Sequence, residues 1–281
     1  MTTAIASGAD TVGRLDGYRL APVRHVGLNV LYLVPGAVGG SEIYAHELIG
    51  ALGRARPEVR FTVFCGREAG PSLRACGWPS NVVVRELPVR CAVKPLRIWF
   101  EVFVLPVVAR RAGVELLHSL GTTSPPAVLG MPSVVTILDL IYEAYPSTFP
   151  LPARLGLRAL VGPAARRATR VITISEAVKR DVVERLRVPA SRVDAVPLGH
   201  GMRAADEVTE AGALRERLGL GDDRVVLCVS AALVHKNLPR LLEAFALLDV
   251  PSTRLVLVGH SGRDLERLQA QAVSLGIADR V

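Results

Sequence analysis

Two short segments hold residue types from which a phosphate site can be built. In the first, Pro35-Gly36-Ala37-Val38-Gly39-Gly40-Ser41-Glu42, glycines stand just ahead of a helix-like run. Glycine lets the backbone approach a ligand, and the unpaired N–H groups and dipole of a helix start favour an anion. The spacing is not G-x-G-x-x-G and no P-loop lysine follows, which weighs against NAD binding and against P-loop nucleotide hydrolysis. A tight strand-to-helix turn that needs glycine only for positive φ accounts for the same residues equally well. In the second segment, Val234-His235-Lys236-Asn237-Leu238-Pro239, Lys236 precedes a helix that Asn237 is placed to cap and whose first turn tolerates Pro239. A lone loop lysine is usually a solvated charge. Beside a helix start that follows a buried strand, it becomes a candidate anion ligand.

Each segment needs a strand to hold it. Residues 26–34 (VGLNVLYLV) form a nearly unbroken apolar run, the pattern of a strand buried on both faces in a parallel sheet. A helix follows in which Tyr44, Ala45, Leu48, Ala51 and Leu52 share one side and Glu42, His46, Glu47 and Arg54 the other. Further strand-like runs lie at 61–65, 82–87, 114–119, 134–138, 171–174 and 193–196, most of them separated by helix-length segments. Ser175 is placed to cap a helix carrying Val178, Val182 and Leu186. Alternating strands and helices predict βαβ units, a parallel sheet and right-handed crossovers. After Pro197-Leu198-Gly199-His200-Gly201 and a polar stretch, the pattern restarts with strands at 225–229 and 255–258, a helix over 237–248 and a second marked by Leu265, Leu268, Ala272 and Leu275. Two βα units leave sheet surface uncovered, so the second domain is expected to be incomplete.

A length of 281 residues suggests two domains, and 50% hydrophobic with 21% charged residues indicates a folding chain. The net charge of +8 favours anionic partners without choosing among nucleotide phosphates, lipid headgroups and nucleic acid. No aromatic-basic β platform or recognition-helix pattern is present, so nucleic acid is not expected. Cys65, Cys76, Cys91 and Cys228 lack zinc-ligand spacing, which predicts a reduced, cytoplasmic protein without a structural metal. Residues 1–17 have no apolar h-region and read as a frayed tail. The longest apolar stretch, 98–109, is broken by Glu101 and Pro106 and is too short to span a bilayer. The basic-apolar segments 94–111, with Trp99, Phe100 and Phe103, and 151–170, with five arginines, have compositions able to lie on anionic lipid. Ordinary helices packed on a sheet are the preferred expectation, because the core needs the same aromatic and Leu positions.

The segment VVLCVSAALVHKNLPRLLEAFALL followed by RLVLVGHSG resembles the start of the nucleotide-sugar-binding domain of family 4 glycosyltransferases. Three upstream segments are similar to the same family in the same order: GLNVLYLVPGAVGGSEIYAHELIGAL, SVVTILDLIYEAYPSTFP and RVITISEAVKRDVVERLRVPASRVDAVPLGHG. The resemblance implies an α/β protein of GT-B type, with an N-terminal Rossmann-like domain plus the first part of a second one. It implies a tail over 1–21, an acceptor-binding domain over 22–202, a hinge over 203–223 and a partial donor-binding domain over 224–281. The implied reaction moves a sugar from a nucleotide-sugar to a carbohydrate, lipid-linked or small-molecule acceptor with retention of configuration. No metal and no cofactor is expected, the nucleotide-sugar being a substrate. By position, Gly39, Gly40, His235 and Lys236 would contact the donor diphosphate, and His118, Thr122, Asp139 and Ser175, with Glu176, would border the acceptor cleft. A hydrogen-bonded structural role is the preferred expectation for a lone strand-end His118, a helix cap suffices for Ser175, and Asp139 could cap the loop after its strand. A peripheral contact with the inner face of a membrane is kept as an alternative to a purely cytoplasmic location.

Three departures accompany the resemblance. Leu138 stands where the family commonly has His, Ala231 lies where many members carry Arg, and the downstream Glu-x7-Glu element would fall beyond Val281. The catalytic residues are therefore unassigned, transfer by the 281-residue chain is expected to be impaired by the absence of that carboxylate segment, and a non-catalytic sugar- or nucleotide-binding remnant is the competing expectation.

Overall fold

The computed structural model describes residues 22–199, 201, 208–248, 250–259 and 265–281; the expected tail over 1–21, His200 and residues 203–207 of the expected hinge lie outside them. Seven strands, β1 (His25–Asn29), β2 (Arg60–Cys65), β3 (Val82–Glu86), β4 (Leu116–Ser119), β5 (Ser133–Ile137), β6 (Arg170–Thr173) and β7 (Val193–Ala195), form one sheet in the order β3-β2-β1-β4-β5-β6-β7. Every pairing in it is parallel. The strand order reverses between β1 and β4, and ligands of such sheets sit outside the carboxyl ends of the strands at that switch point.

Alternation along the strands fills both faces. Phe61, Val63 and Cys65 of β2 join Leu28, Ala45 and Ile49 in one core, whereas Phe64 joins Leu105, Ala109 and Leu117 in another. The helix Gly40–Ala55 buries Ala45, Ile49, Gly50 and Gly53, while Ala51, expected on the inner side, is exposed. The expected strand 26–34 ends early, at Asn29. There the Asn29 side-chain Oδ1 accepts the N–H of Leu31 at 3.1 Å, turning the chain while Leu31 and Leu33 stay fully buried.

Residues 94–111 form one helical run made of Lys94–Trp99, a π-helical turn Phe100–Val104 and Leu105–Arg111. Pro106 has no N–H to give to the preceding turn and its ring crowds the carbonyl four residues back, which favours a widened turn just before it. The aromatic residues do not all serve the core as expected. Leu105 and Ala109 are fully buried, but Trp99 is 52% and Phe103 62% exposed, because the turn that brings Glu101 inward carries these rings outward.

The chain divides into two compact units, the first comprising the described residues to Asp139 with Ala159–Gly201. The second comprises Leu140–Arg158 and the described residues after Gly201. In it β8 (Arg224–Val229) and β9 (Thr253–Val258) pair in parallel, and Leu238, Leu242, Phe245, Leu255, Leu268 and Ala272 form its core. The other face of β8 is open, with Leu227 60% and Val229 73% exposed. The helix Leu238–Ala246 is shorter than the expected 237–248.

Candidate functional site

The loop that leaves β1 at the switch point ends in Gly39, the N-cap residue of Gly40–Ala55, with φ 60° and ψ −130°. That conformation is closed to residues with a side chain, so glycine is required there for the backbone alone. No side chain caps the helix start, and a Cβ at Gly36, Gly39 or Gly40 would meet nothing within 4 Å. The face of the loop is therefore open, as an anion site at a helix start must be. One amide is already taken: the Gly36 N–H donates to the Glu42 carboxylate at 2.9 Å. The backbone at Gly39 and Gly40 stays open beside it.

The loop is tied to its neighbours by hydroxyl groups. The Tyr32 hydroxyl donates to the Ser41 carbonyl at 2.9 Å, and the Tyr32 ring lies against Gly121 of the loop after β4 so closely that a Cβ there would stand 2.5 Å from it. Tyr44 from the helix shares a hydrogen bond with Thr136 Oγ1 at 3.2 Å, and Thr136 Oγ1 is in turn 2.9 Å from His118 Nε2. His118, near the end of β4, is 8% exposed, and burial pushes its imidazole down to about 4. It is therefore neutral near pH 7 and buried at the strand end.

A buried carboxylate organises the same strand ends. Glu101, on the π-helical turn, is 2% exposed and accepts from Asn29 Nδ2 at 2.8 Å and from Thr123 Oγ1 at 3.0 and 3.2 Å. Asn29 Nδ2 also donates to Ser119 Oγ at 3.0 Å, and Ser119 Oγ donates to Ser124 Oγ at 3.0 Å. The turns after β1 and β4 are thus fixed by one network, whose members all find partners as buried polar groups must. Sequence reasoning missed it. The available signal was a lone Asn within VGLNVLYLV and a lone Glu within an apolar helix.

In the second unit, His235 and Lys236 lie on the single 3-10 turn Val234–Lys236, with Lys236 exposed and its N–H bonded to the Leu233 carbonyl at 2.9 Å. Asn237 does not cap the following helix through its side chain. Its backbone is left-handed, φ 54° and ψ 35°, whereas a side-chain cap needs an extended residue; Asn serves here for its tolerance of that conformation. The His235 ring lies 6.1 Å from that of Tyr145, and among the described residues its buried Nδ1 has no hydrogen-bond partner. Gly259 at the end of β9 allows a close backbone approach, since a Cβ would fall 2.1 Å from the Ser230 carbonyl oxygen.

Thr122, Asp139 and Ser175 follow the carboxyl ends of the adjacent strands β4, β5 and β6. Thr122 is half-buried in the loop after β4, Leu138 is half-buried just past β5, and Asp139 beyond it is exposed. Ser175 caps Glu176–Leu186, accepting the Val178 N–H at 3.2 Å, and Glu176 is exposed. The structure links the helix after the glycine loop to His118 through Thr136. Cys65 and Cys91 are buried thiols pushed up to about 12 by burial, which makes them inert as nucleophiles near neutral pH. Among the described residues no group of three His, Cys, Asp or Glu is placed to hold a metal ion.

Comparison with known proteins gives these strand-end loops a context. In solved structures, 92% of this chain superposes on 68% of Anabaena Alr3699/HepE in complex with UDP and glucose, with a TM-score of 0.60 and 20% identity. A glycosyltransferase from Rickettsia africae ESF-5 gives a TM-score of 0.59 at 13% identity, over 92% of this chain and 67% of that one. At these identities the likeness establishes the fold, GT-B, alone. A stretch of 154 residues is 32% identical to the GDP-mannose-dependent alpha-(1-6)-phosphatidylinositol monomannoside mannosyltransferase of Mycolicibacterium smegmatis. That match spans 47% of this chain and only 40% of the relative's length. The model for glycosyl transferases group 1 matches residues 211–281. The model for Glycosyltransferase Family 4 matches residues 38–200, more than half of the chain, and with the two matches in order the chain belongs to glycosyltransferase family 4.

Proposed function

We propose that this chain moves a hexosyl group from a nucleotide-sugar to an acceptor with retention of configuration. The observation that carries the proposal is the open, uncapped helix start at Gly39 and Gly40, at the carboxyl end of the strand beside the switch point. In such a transfer the nucleoside diphosphate leaves, and its developing charge needs fixed donors rather than a proton. Gly39 and Gly40 in the first unit, and Lys236 with His235 in the second, are each proposed as contacts of that diphosphate. Lys236 acts as a compact positive charge with no proton-transfer role. In this proposal no metal is needed, because backbone N–H groups and Lys236 carry the leaving-group charge.

The acceptor is proposed to be a carbohydrate or a lipid-linked sugar, met in the cytoplasm or at the inner face of a membrane. The name of the mycobacterial relative makes GDP-mannose and a phosphatidylinositol-type acceptor the first pair to try. No helix among the described residues is long and apolar enough to cross a membrane. The test offers UDP-, GDP- and ADP-sugars with a panel of lipid and soluble acceptors and follows nucleoside diphosphate release with and without EDTA. Release that depends on an acceptor and is indifferent to EDTA is expected. Release abolished by EDTA would contradict the metal-free proposal, and no release with any pair would contradict transfer by this chain.

A further inference from the structure

The helical run from Lys94 to Arg111 turns an apolar stripe outward. Val93 is 49% exposed, Leu96 41%, Trp99 52%, Phe103 62% and Val107 36%, at steps of three and four residues that share one side of a helix. The π-helical turn keeps Trp99, Phe103 and Val107 in line. The Trp99 ring lies 5.5 Å from that of Phe100 and 6.0 Å from that of Phe103, so the aromatic surface is continuous. Single exposed apolar residues are ordinary on a protein surface; a continuous stripe with two large rings marks an interaction surface.

The charge around the stripe says what covers it. Residues 88–112 contain five cations, Arg90, Lys94, Arg97, Arg110 and Arg111, and one acid, Glu101. Glu101 is buried in the Asn29–Thr123 network and projects no charge outward. The nearby Glu68 carboxylate is engaged by the N–H groups of Cys91 and Ala92. Among the described residues none of the five cations forms an ion pair, and Arg110 donates instead to the carbonyl of Leu129, a residue 49% exposed. A second copy docked symmetrically on this face would set like charges against each other. An anionic bilayer supplies phosphates for the cations and an interfacial zone that Trp and Phe favour.

We propose that this face docks on an anionic phospholipid surface, with Trp99 and Phe103 entering the boundary between headgroups and acyl chains and the cations resting on lipid phosphates. The proposal deepens the reading of a lipid-linked acceptor and rests on it for its purpose, yet docking itself requires neither donor nor acceptor. The test uses the full 281-residue chain with vesicles of phosphatidylcholine alone or with about one third phosphatidylglycerol, scored by co-sedimentation and by the blue shift of tryptophan emission. Binding to the anionic vesicles only is expected, weakened at least tenfold by about 0.5 M NaCl. Trp99→Ser with Phe103→Ser, both at exposed positions, should leave the melting temperature unchanged and lower the partition at least tenfold. Lys94→Glu with Arg111→Glu should do the same. Absence of binding to anionic vesicles, or binding untouched by the Ser pair, would overturn the proposal. So would a concentration-dependent dimer in sedimentation velocity that the Ser pair abolishes, which would assign the stripe to a second copy. Since no nucleotide enters these measurements, failure to dock and failure to transfer sugar are separate outcomes.

Discussion

Lowering the pH from 7 to 5 should destabilise the first unit through its buried histidines, and His118 allows the size of the effect to be worked out. His118 is 8% exposed, its Nε2 held by Thr136 Oγ1 at 2.9 Å, and burial lowers its pKa from 6.5 to about 4. Between those values the unfolded chain takes up a proton that the folded chain refuses, so stability falls as the pH falls. At about 1.4 kcal/mol per pH unit, the full penalty is about 3 kcal/mol below pH 4, and about 2 kcal/mol of it is incurred by pH 5. His25 is shifted downward as well, chiefly by burial, and adds a loss of the same sign. The perturbation that isolates His118 is His118→Gln, whose amide can reach Thr136 without titrating. Denaturant midpoints at pH 7 and pH 5 would be compared for both proteins. The only tryptophans, Trp78 and Trp99, lie in the unit that holds His118, so their fluorescence follows the relevant transition. The variant should lose about 2 kcal/mol less than the parent between the two pH values. An identical loss in both would refute the assignment of a buried neutral imidazole at this position.

Two further perturbations probe the strand ends. Gly39→Ala should cost about 1–3 kcal/mol because its backbone, φ 60° and ψ −130°, excludes a side chain. Gly40→Ala should leave the denaturation midpoint unchanged or raised, yet weaken nucleoside diphosphate binding measured by calorimetry, since its methyl group would occupy the open face. Glu101→Gln should lower stability by about 1–3 kcal/mol, read from denaturant midpoints, because the amide would set an N–H against the donors of Asn29 and Thr123.

Much of the fold was legible because buried parallel strands write themselves as apolar runs. The runs at 61–65 and 82–87 correspond within one residue to β2 and β3, and that at 225–229 to β8. Where a polar side chain bonds the backbone locally, the run misleads: Asn29 ends β1 five residues before the apolar stretch does. The glycine loop was visible as composition, but that Gly36 and Gly39 take positive φ while Gly40 does not, and that Glu42 engages the Gly36 amide, are facts of three-dimensional geometry. The outward turn of Trp99 and Phe103 was not legible, since periodicity gives a stripe without saying which side of the helix faces the sheet. The Glu101 network joins residues far apart in the chain, and no local pattern pairs Asn29 with Glu101 or Glu101 with Thr123.

The central claim is that the chain binds the diphosphate of a nucleotide-sugar, and isothermal titration tests it most directly. Uridine, guanosine and adenosine would be compared with their diphosphates on the parent and on Lys236→Ala. Lys236 is exposed on its turn, so its removal should not disturb folding. A hydrogen bond to a charged group is worth about 1.5–3 kcal/mol, so one diphosphate should bind the variant roughly 10- to 100-fold more weakly while its nucleoside is unaffected. An equal loss for nucleoside and diphosphate would remove Lys236 from the phosphate contact, and failure of all three diphosphates to bind the parent chain would contradict the account.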